Sequence, residues 1–194
     1  MTTEMKPRPL DTPRMRRQED IVTSPALRKV LAISRIIIGF GFLWPFLDKL
    51  FGLNYSTTAD AAWINGGSPA QGYIAGIEGP FATFFGVFGN SFGDWFFMLG
   101  LFGIGIAMIT GAGLRIAAVG GTILMLFMFL ADLPSATTIV DGEMIRGATN
   151  PILDSHWYEA LLLIIPAMTL AGDTWGLGKW WSNTPLVQKN PWLR

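Results

Sequence analysis

Residues 30–51 read VLAISRIIIGFGFLWPFLDKLF, an apolar run marked by Arg35 and Pro45 and closed by the adjacent pair Asp48 and Lys49. The run reaches the ~20 residues that carry a helix across a bilayer core. A helix that is apolar on every side is either a core helix or a membrane span. Three further apolar runs follow, at roughly 95–110, 116–131 and 157–171, the last starting as early as Pro151. The middle two need their flanks to reach ~17 residues.

Charge placement decides between core and membrane. Residues 1–29 carry Lys6, Arg8, Arg14, Arg16, Arg17, Arg28 and Lys29; the turn between runs two and three holds Arg115; the C-terminal stretch holds Lys179, Lys189 and Arg194. Residues 52–93 contain no Lys or Arg, and residues 132–155 contain only Arg146. This is the positive-inside pattern of four spans with both termini cytoplasmic. Trp44, Trp63, Trp95 and Trp157 fall near the expected outer ends, and Trp175, Trp180 and Trp181 follow the last span, as in two aromatic belts. The expected fold is all-α, a four-transmembrane-helix bundle in a bacterial plasma membrane. The leader before run one is long and contains Pro7, Pro9, Pro13 and Pro25, so it is not read as a signal peptide, and run one is expected to remain as span one.

Lys and Arg total 14, as do Asp and Glu, and the formal net charge is zero. Nothing in that balance calls for nucleic acid. The chain has no cysteine. Disulfides, thiolate metal sites, iron–sulfur ligation and c-type haem attachment are therefore excluded on it. No haem and no structural metal are expected.

Residues 1–26 are expected as a flexible cytoplasmic tail, 27–181 as the membrane domain and 182–194 as a second cytoplasmic tail. Ser24–Pro25 supplies an N-cap and a first-turn proline for span one, and Pro45 bends that span. Residues 52–93 are too long for a simple connector; Ser68-Pro69-Ala70-Gln71 reads as a capping box opening a short helix through about Ile77. Gly100, Gly103, Ala107 and Gly111 on span two, with Ala117, Gly120 and Gly121 on span three, suit close helix approach in lipid. Asn150–Pro151 offers an N-cap for span four, and Asp94 one for span two.

Four antiparallel spans gather Asp48, Lys49, Asp94, Asp132, Asp154, His156 and Glu159 at the outer side. Lys49 lies fourteen residues beyond Arg35, which returns it to nearly the same helical face, with Gly39, Phe42 and Phe46 between them. Lys49 and Arg35 either snorkel to opposite headgroup layers or serve a site. Glu159 is costly inside a span and calls for a partner or a wet cavity, and His156 sits one turn before it.

Arg35 with GFGFLWPFLDKLFGL (39–53), GAGLRIAA (111–118), AGDTWGLGKWW (171–181), AWINGGSP (62–69) and GPFATFF (79–85) resembles the DoxX/DoxD-like membrane proteins over residues 27–181. The loop words are similar to the branch identified as the membrane subunit of thiosulfate:quinone oxidoreductase. That resemblance implies a four-helix bundle with an arginine early and a lysine late in span one, and a second protein subunit as partner. The functional expectation is a quinone-facing subunit: Lys49 and His156 as hydrogen-bond donors to the ring oxygens, Asp48, Asp132 and Glu159 as proton relays, and Arg35 with Lys49 and His156 as cofactor contacts. If thiosulfate is the donor, Lys49 and Arg146 are the outer cations. A non-catalytic anchor or accessory subunit of a respiratory complex is the alternative; a solute transporter lacks the inverted repeat it would need.

Overall fold

The structure, a computed structural model, describes residues 15–133, 138–140, 143–145, 150 and 152–194. Its frame is four helices: α1 (Pro25–Phe51), α4 (Ser91–Thr110), α5 (Leu114–Ala131) and α6 (Ser155–Met168). Short helices α2 (Pro69–Ala75) and α3 (Ala82–Gly86) lie between α1 and α4, and α7 (Gly178–Ser182) and α8 (Pro185–Lys189) follow α6. The fold is all-α as expected, apart from two three-residue antiparallel strands in the α5–α6 connection, β1 (Thr138–Val140) and β2 (Glu143–Ile145), with Ile139 opposite Met144.

Helices α1, α4 and α5 are long and apolar enough to cross a membrane. Their outward faces carry large exposed apolar side chains, among them Val30, Ile37, Phe40, Phe96, Leu99 and Val119. The interior is built from Ile38, Phe42, Met98, Met108, Met125 and Leu163, all buried. At ~1.5 Å per residue, the 14 residues of α6 extend only ~21 Å, less than the ~30 Å of a bilayer core.

Local sequence explains most helix ends. Ser24 accepts a hydrogen bond from Leu27 N, Pro25 occupies the first turn, and Gly52 closes α1 in the left-handed region at φ 66°. Asn90, not Asp94, caps α4, with its side chain accepting from Gly93 N. Asp154, not Asn150, caps α6; the Asn150 side chain instead accepts from Ile152 N and Leu153 N, before the helix starts.

Close approach uses part of the expected set and two glycines outside it. From the set, a Cβ on Gly121 would collide with Leu163 Cδ1 of α6, and one on Gly111 would lie 2.7 Å from Gly172 Cα. A Cβ on Gly39 would lie 2.8 Å from Ile109 N, and one on Gly105 would lie 2.9 Å from Leu43 N, so these two set the α1–α4 contact. Gly100, Gly103 and Gly120 would meet nothing within 4 Å. They face open space instead of a packed neighbour.

Arg35 neither snorkels nor lines a cavity. It is fully buried and spends all five guanidinium N–H groups on backbone carbonyls. Nε donates to Ala171 O (3.2 Å); Nη1 to Met108 O (2.7 Å) and Ile109 O; Nη2 to Thr174 O (3.2 Å) and Trp175 O (2.7 Å). The four terminal carbonyls of α4, which a helix leaves without internal partners, are thereby accounted for. Ala107 O accepts from Gly111 N, Met108 O and Ile109 O from Arg35, and Thr110 O from Leu177 N. Leu170 and Trp175, which flank this cradle, hold left-handed φ values of 51° and 54°, a cost tolerated where the surroundings fix the backbone.

The expected tails are folded against the bundle where they are described. Residues 16–20 meet residues 173–194 at the Arg35 end: Asp173 accepts from Gln18 N (2.9 Å) and pairs with Arg194 Nη2 through both carboxylate oxygens (2.7 Å each). Arg115, in the α4–α5 turn region, donates to Trp192 O at 3.0 Å, which ties residues 182–194 to the same end.

Candidate functional site

A cavity of about 720 Å³ opens at the far end of the bundle from Arg35, enclosed by α1, α2, α4, α5 and α6. Its existence begins with Pro45. Proline has no N–H to give Gly41 O, and Gly41 carries no side chain, so α1 turns an unfilled, under-bonded stretch toward this space. Phe42, Phe97, Leu101, Met125 and Met128 form an apolar floor. Lys49, Ser56, Tyr73, His156 and Glu159 supply its polar groups. Of the sequence-derived candidates, Lys49, His156 and Glu159 are thus brought together.

Asp48 stands behind this wall, not in it. It is 1% exposed; Oδ1 accepts from Tyr55 N (3.1 Å), and Oδ2 accepts from Ser56 N (2.9 Å) and Ser56 Oγ (2.6 Å). A buried carboxylate needs such partners, and the three donors fold residues 53–57 back over the end of α1. Ser56 Oγ then lies 3.3 Å from Lys49 Nζ, so Asp48 positions the loop that holds the lysine. The adjacent pair therefore divides its work: aspartate to the loop, lysine to the cavity.

Asp94 and Asp132, also at this end, are committed to specific partners. Asp94 is buried and caps α2 from outside it: Oδ1 accepts from Ala70 N (2.8 Å) and Gln71 N (3.2 Å), and Oδ2 from Gln71 Nε2. The expected Ser68 capping box is absent, since Ser68 makes no side-chain cap bond, and an aspartate from another helix takes its place. Asp132 is exposed and accepts from Tyr73 Oη at 2.8 Å. Tyr73 faces the cavity on one side, while Asp132 borders a separate vestibule that Tyr73 also lines. Burial, and then the bond to Asp132, push the Tyr73 phenol well above its ordinary pKa.

His156 is oriented by its own N-cap. Asp154 Oδ1 accepts from His156 N (3.1 Å), and Asp154 Oδ2 lies 2.8 Å from Nδ1. A carboxylate can only accept, so Nδ1 carries the proton and Nε2 is the ring nitrogen left for the cavity. Asp154, which the sequence placed only among the outer-side charges, thus orients His156; an Asp two residues before a histidine at a helix start was the available signal.

Among the described residues, the ion pairs are His156 with Asp154 and Arg194 with Asp173. Lys49 thus has no carboxylate within salt-bridge distance among them, and the charges gathered at the outer side resolve into separate contacts. No group of three His, Asp or Glu residues suited to a metal occurs among the described residues. Arg146, the second expected outer cation, lies outside the described residues. Comparison of the chain with protein-family models, curated proteins and solved structures gives no match.

Proposed function

We propose that this chain is the quinone-facing membrane subunit of an oxidoreductase, acting with a second protein subunit that supplies electrons. The observation that carries this reading is the cavity's division into an apolar floor and a polar rim of Lys49, His156, Glu159 and Tyr73. Small-molecule sites are typically ~300–1,000 Å³, mainly apolar, with a few convergent polar groups. A flat, apolar ring with two hydrogen-bond-accepting oxygens is the ligand that such a division suits. The DoxX-like resemblance points the same way and adds thiosulfate as the candidate electron source.

Conversion of a quinone to its quinol takes up two electrons and two protons; oxidative coupling of two thiosulfates to tetrathionate releases two electrons. The ammonium of Lys49 donates to one ring oxygen and stabilises negative charge as electrons arrive. His156 delivers a proton from Nε2 when its ring is doubly protonated, with the Asp154 carboxylate holding the resulting orientation at Nδ1. Glu159, one turn along α6, returns a proton to the imidazole. Asp48 acts through Ser56 as a positioning residue, and Asp132 stands on the vestibule side of Tyr73, where protons enter from water. The apolar floor excludes water from the ring face.

In this reading α6 completes a fourth span together with its flanking residues, and the Arg35 end, where residues 16–20 and 173–194 meet, faces the cytoplasm of a bacterial cell. The electron-donating subunit meets the opposite face. Membranes containing the protein and its partner reduce a quinone analogue with thiosulfate. Glu159→Gln slows that turnover at an unchanged protein level, and unchanged turnover in this variant rejects the relay.

A further inference from the structure

Three cavities in this molecule adjoin one another through shared lining residues. The polar-rimmed chamber shares Tyr73, Phe97 and Met128 with a second cavity of about 80 Å³ enclosed by α2, α3, α4 and α5. That narrow space is bordered by the rings of Phe85, Phe88 and Phe127. It shares Phe96, Leu124 and Phe127 with a third cavity of about 390 Å³, a groove between α4 and α5. The groove follows α4 from Phe96 to Ala107, which at ~1.5 Å per residue is ~16 Å.

Its shape is that of a slot for a chain. Phe96, Leu99, Ile116 and Ile123 edge it and are 47–61% exposed, on faces of α4 and α5 that no other described element covers. Its floor includes Gly100, Gly103 and Gly120, at each of which a Cβ would find open space. Glycine costs up to ~1 kcal/mol of helix propensity relative to alanine, and at these three positions no close helix contact within the bundle offsets it. Larger side chains there would occupy the groove and nothing else.

We propose that the ligand of the polar-rimmed cavity carries a long isoprenoid tail, which leaves through the phenylalanine-lined neck and lies in the α4–α5 groove. This inference rests on the quinone reading and extends it to the part of the ligand that does no chemistry. A single chain suits a space of about 80 Å³ better than the paired chains of a phospholipid do. In a bilayer the tail leaves lipid and not water, so what the ~16 Å of groove adds is close packing along the chain, which the polar rim does not provide.

The test uses the full-length protein in lipid nanodiscs, titrated with a menaquinone and with menadione, which has the same ring and no tail. Tryptophan fluorescence reports binding, and size-exclusion chromatography reports assembly. The wild type binds both quinones, the tailed one more tightly. In Gly103→Leu/Gly120→Leu the new side chains fill the groove, and affinity for the menaquinone falls to that for menadione. Menadione binding stays as in the wild type. Equal affinities for the tailed quinone in variant and wild type overturn the route, as does an equal loss for both quinones, which would place the effect on the chamber. A change of oligomeric state in the variant, with quinone affinities intact, assigns the groove to a second copy of the chain and overturns the proposal. Failure of the wild type to bind either quinone overturns the functional reading itself, and the tail route with it.

Discussion

Arg35 gives the most demanding test of how this bundle is held together. Its five donors meet five carbonyls contributed by two segments, residues 108–109 at the end of α4 and residues 171–175 after α6. Replacement by methionine keeps much of the stem and removes every donor. Each buried carbonyl left without a partner costs ~1–3 kcal/mol, so even the lower figure gives about 5 kcal/mol for Arg35→Met, comparable to the whole stability of many domains. Lysine keeps the charge and offers three donors, which leaves two carbonyls unserved and a cost of about 2 kcal/mol. For a chain of this length 1 kcal/mol corresponds to ~2–4 °C in Tm, so Arg35→Lys lowers Tm by ~4–8 °C and Arg35→Met by ~10–20 °C. The assay is thermal unfolding of the detergent-solubilised protein followed by the loss of its monodisperse chromatographic peak. Quinone affinity of Arg35→Lys at low temperature stays unchanged, because fourteen residues of helix, ~21 Å, separate Arg35 from Lys49. Equal deficits for Lys and Met, or a deficit below ~1 kcal/mol for Met, would refute the carbonyl accounting.

Two further predictions concern the opposite end. Asp94→Asn puts an amide nitrogen where Oδ2 accepts from Gln71 Nε2 and removes the charge that strengthens the bonds from Ala70 N and Gln71 N, and loosens α2 at a cost of about 1–2 kcal/mol; faster hydrogen exchange at those two amides is the expected result, and unchanged exchange contradicts the cross-helix cap. For Tyr73, burial and the Asp132 carboxylate favour the neutral phenol in the folded protein, so the unfolded chain gives up that proton first. The associated stability is present below the ordinary tyrosine value of about 10 and is lost as pH rises past it. Asp132→Asn brings the Tyr73 tyrosinate step to lower pH in an ultraviolet titration, and an unmoved step would mean that the Tyr73–Asp132 bond contributes nothing.

The helices were legible and the partners were not. Hydropathy and end signals locate α1 from Ser24 to Gly52, because each signal lies within a turn of the residue it affects. The same rules failed at Asp94, which has the composition of an N-cap and sits four residues into a helix that Asn90 already caps. Its true clients, Ala70 and Gln71, lie 24 and 23 residues earlier in the chain, beyond any local pattern. Arg35 is the sharper case, since its acceptors are 73–140 residues away. A hydropathy scale records what it costs to bury an arginine, and from that cost the sequence reading offered escape to a headgroup layer or service in a site. It cannot record that two helix-terminal carbonyls and three more from a strained turn arrive at the same point. Where such partners are complete, as at Arg35, Asp48 and Asp94, the charge is structural. Lys49 and Glu159 face a cavity without that completeness, and this difference in partnering, not their residue type or spacing, separates the candidate site from the scaffold.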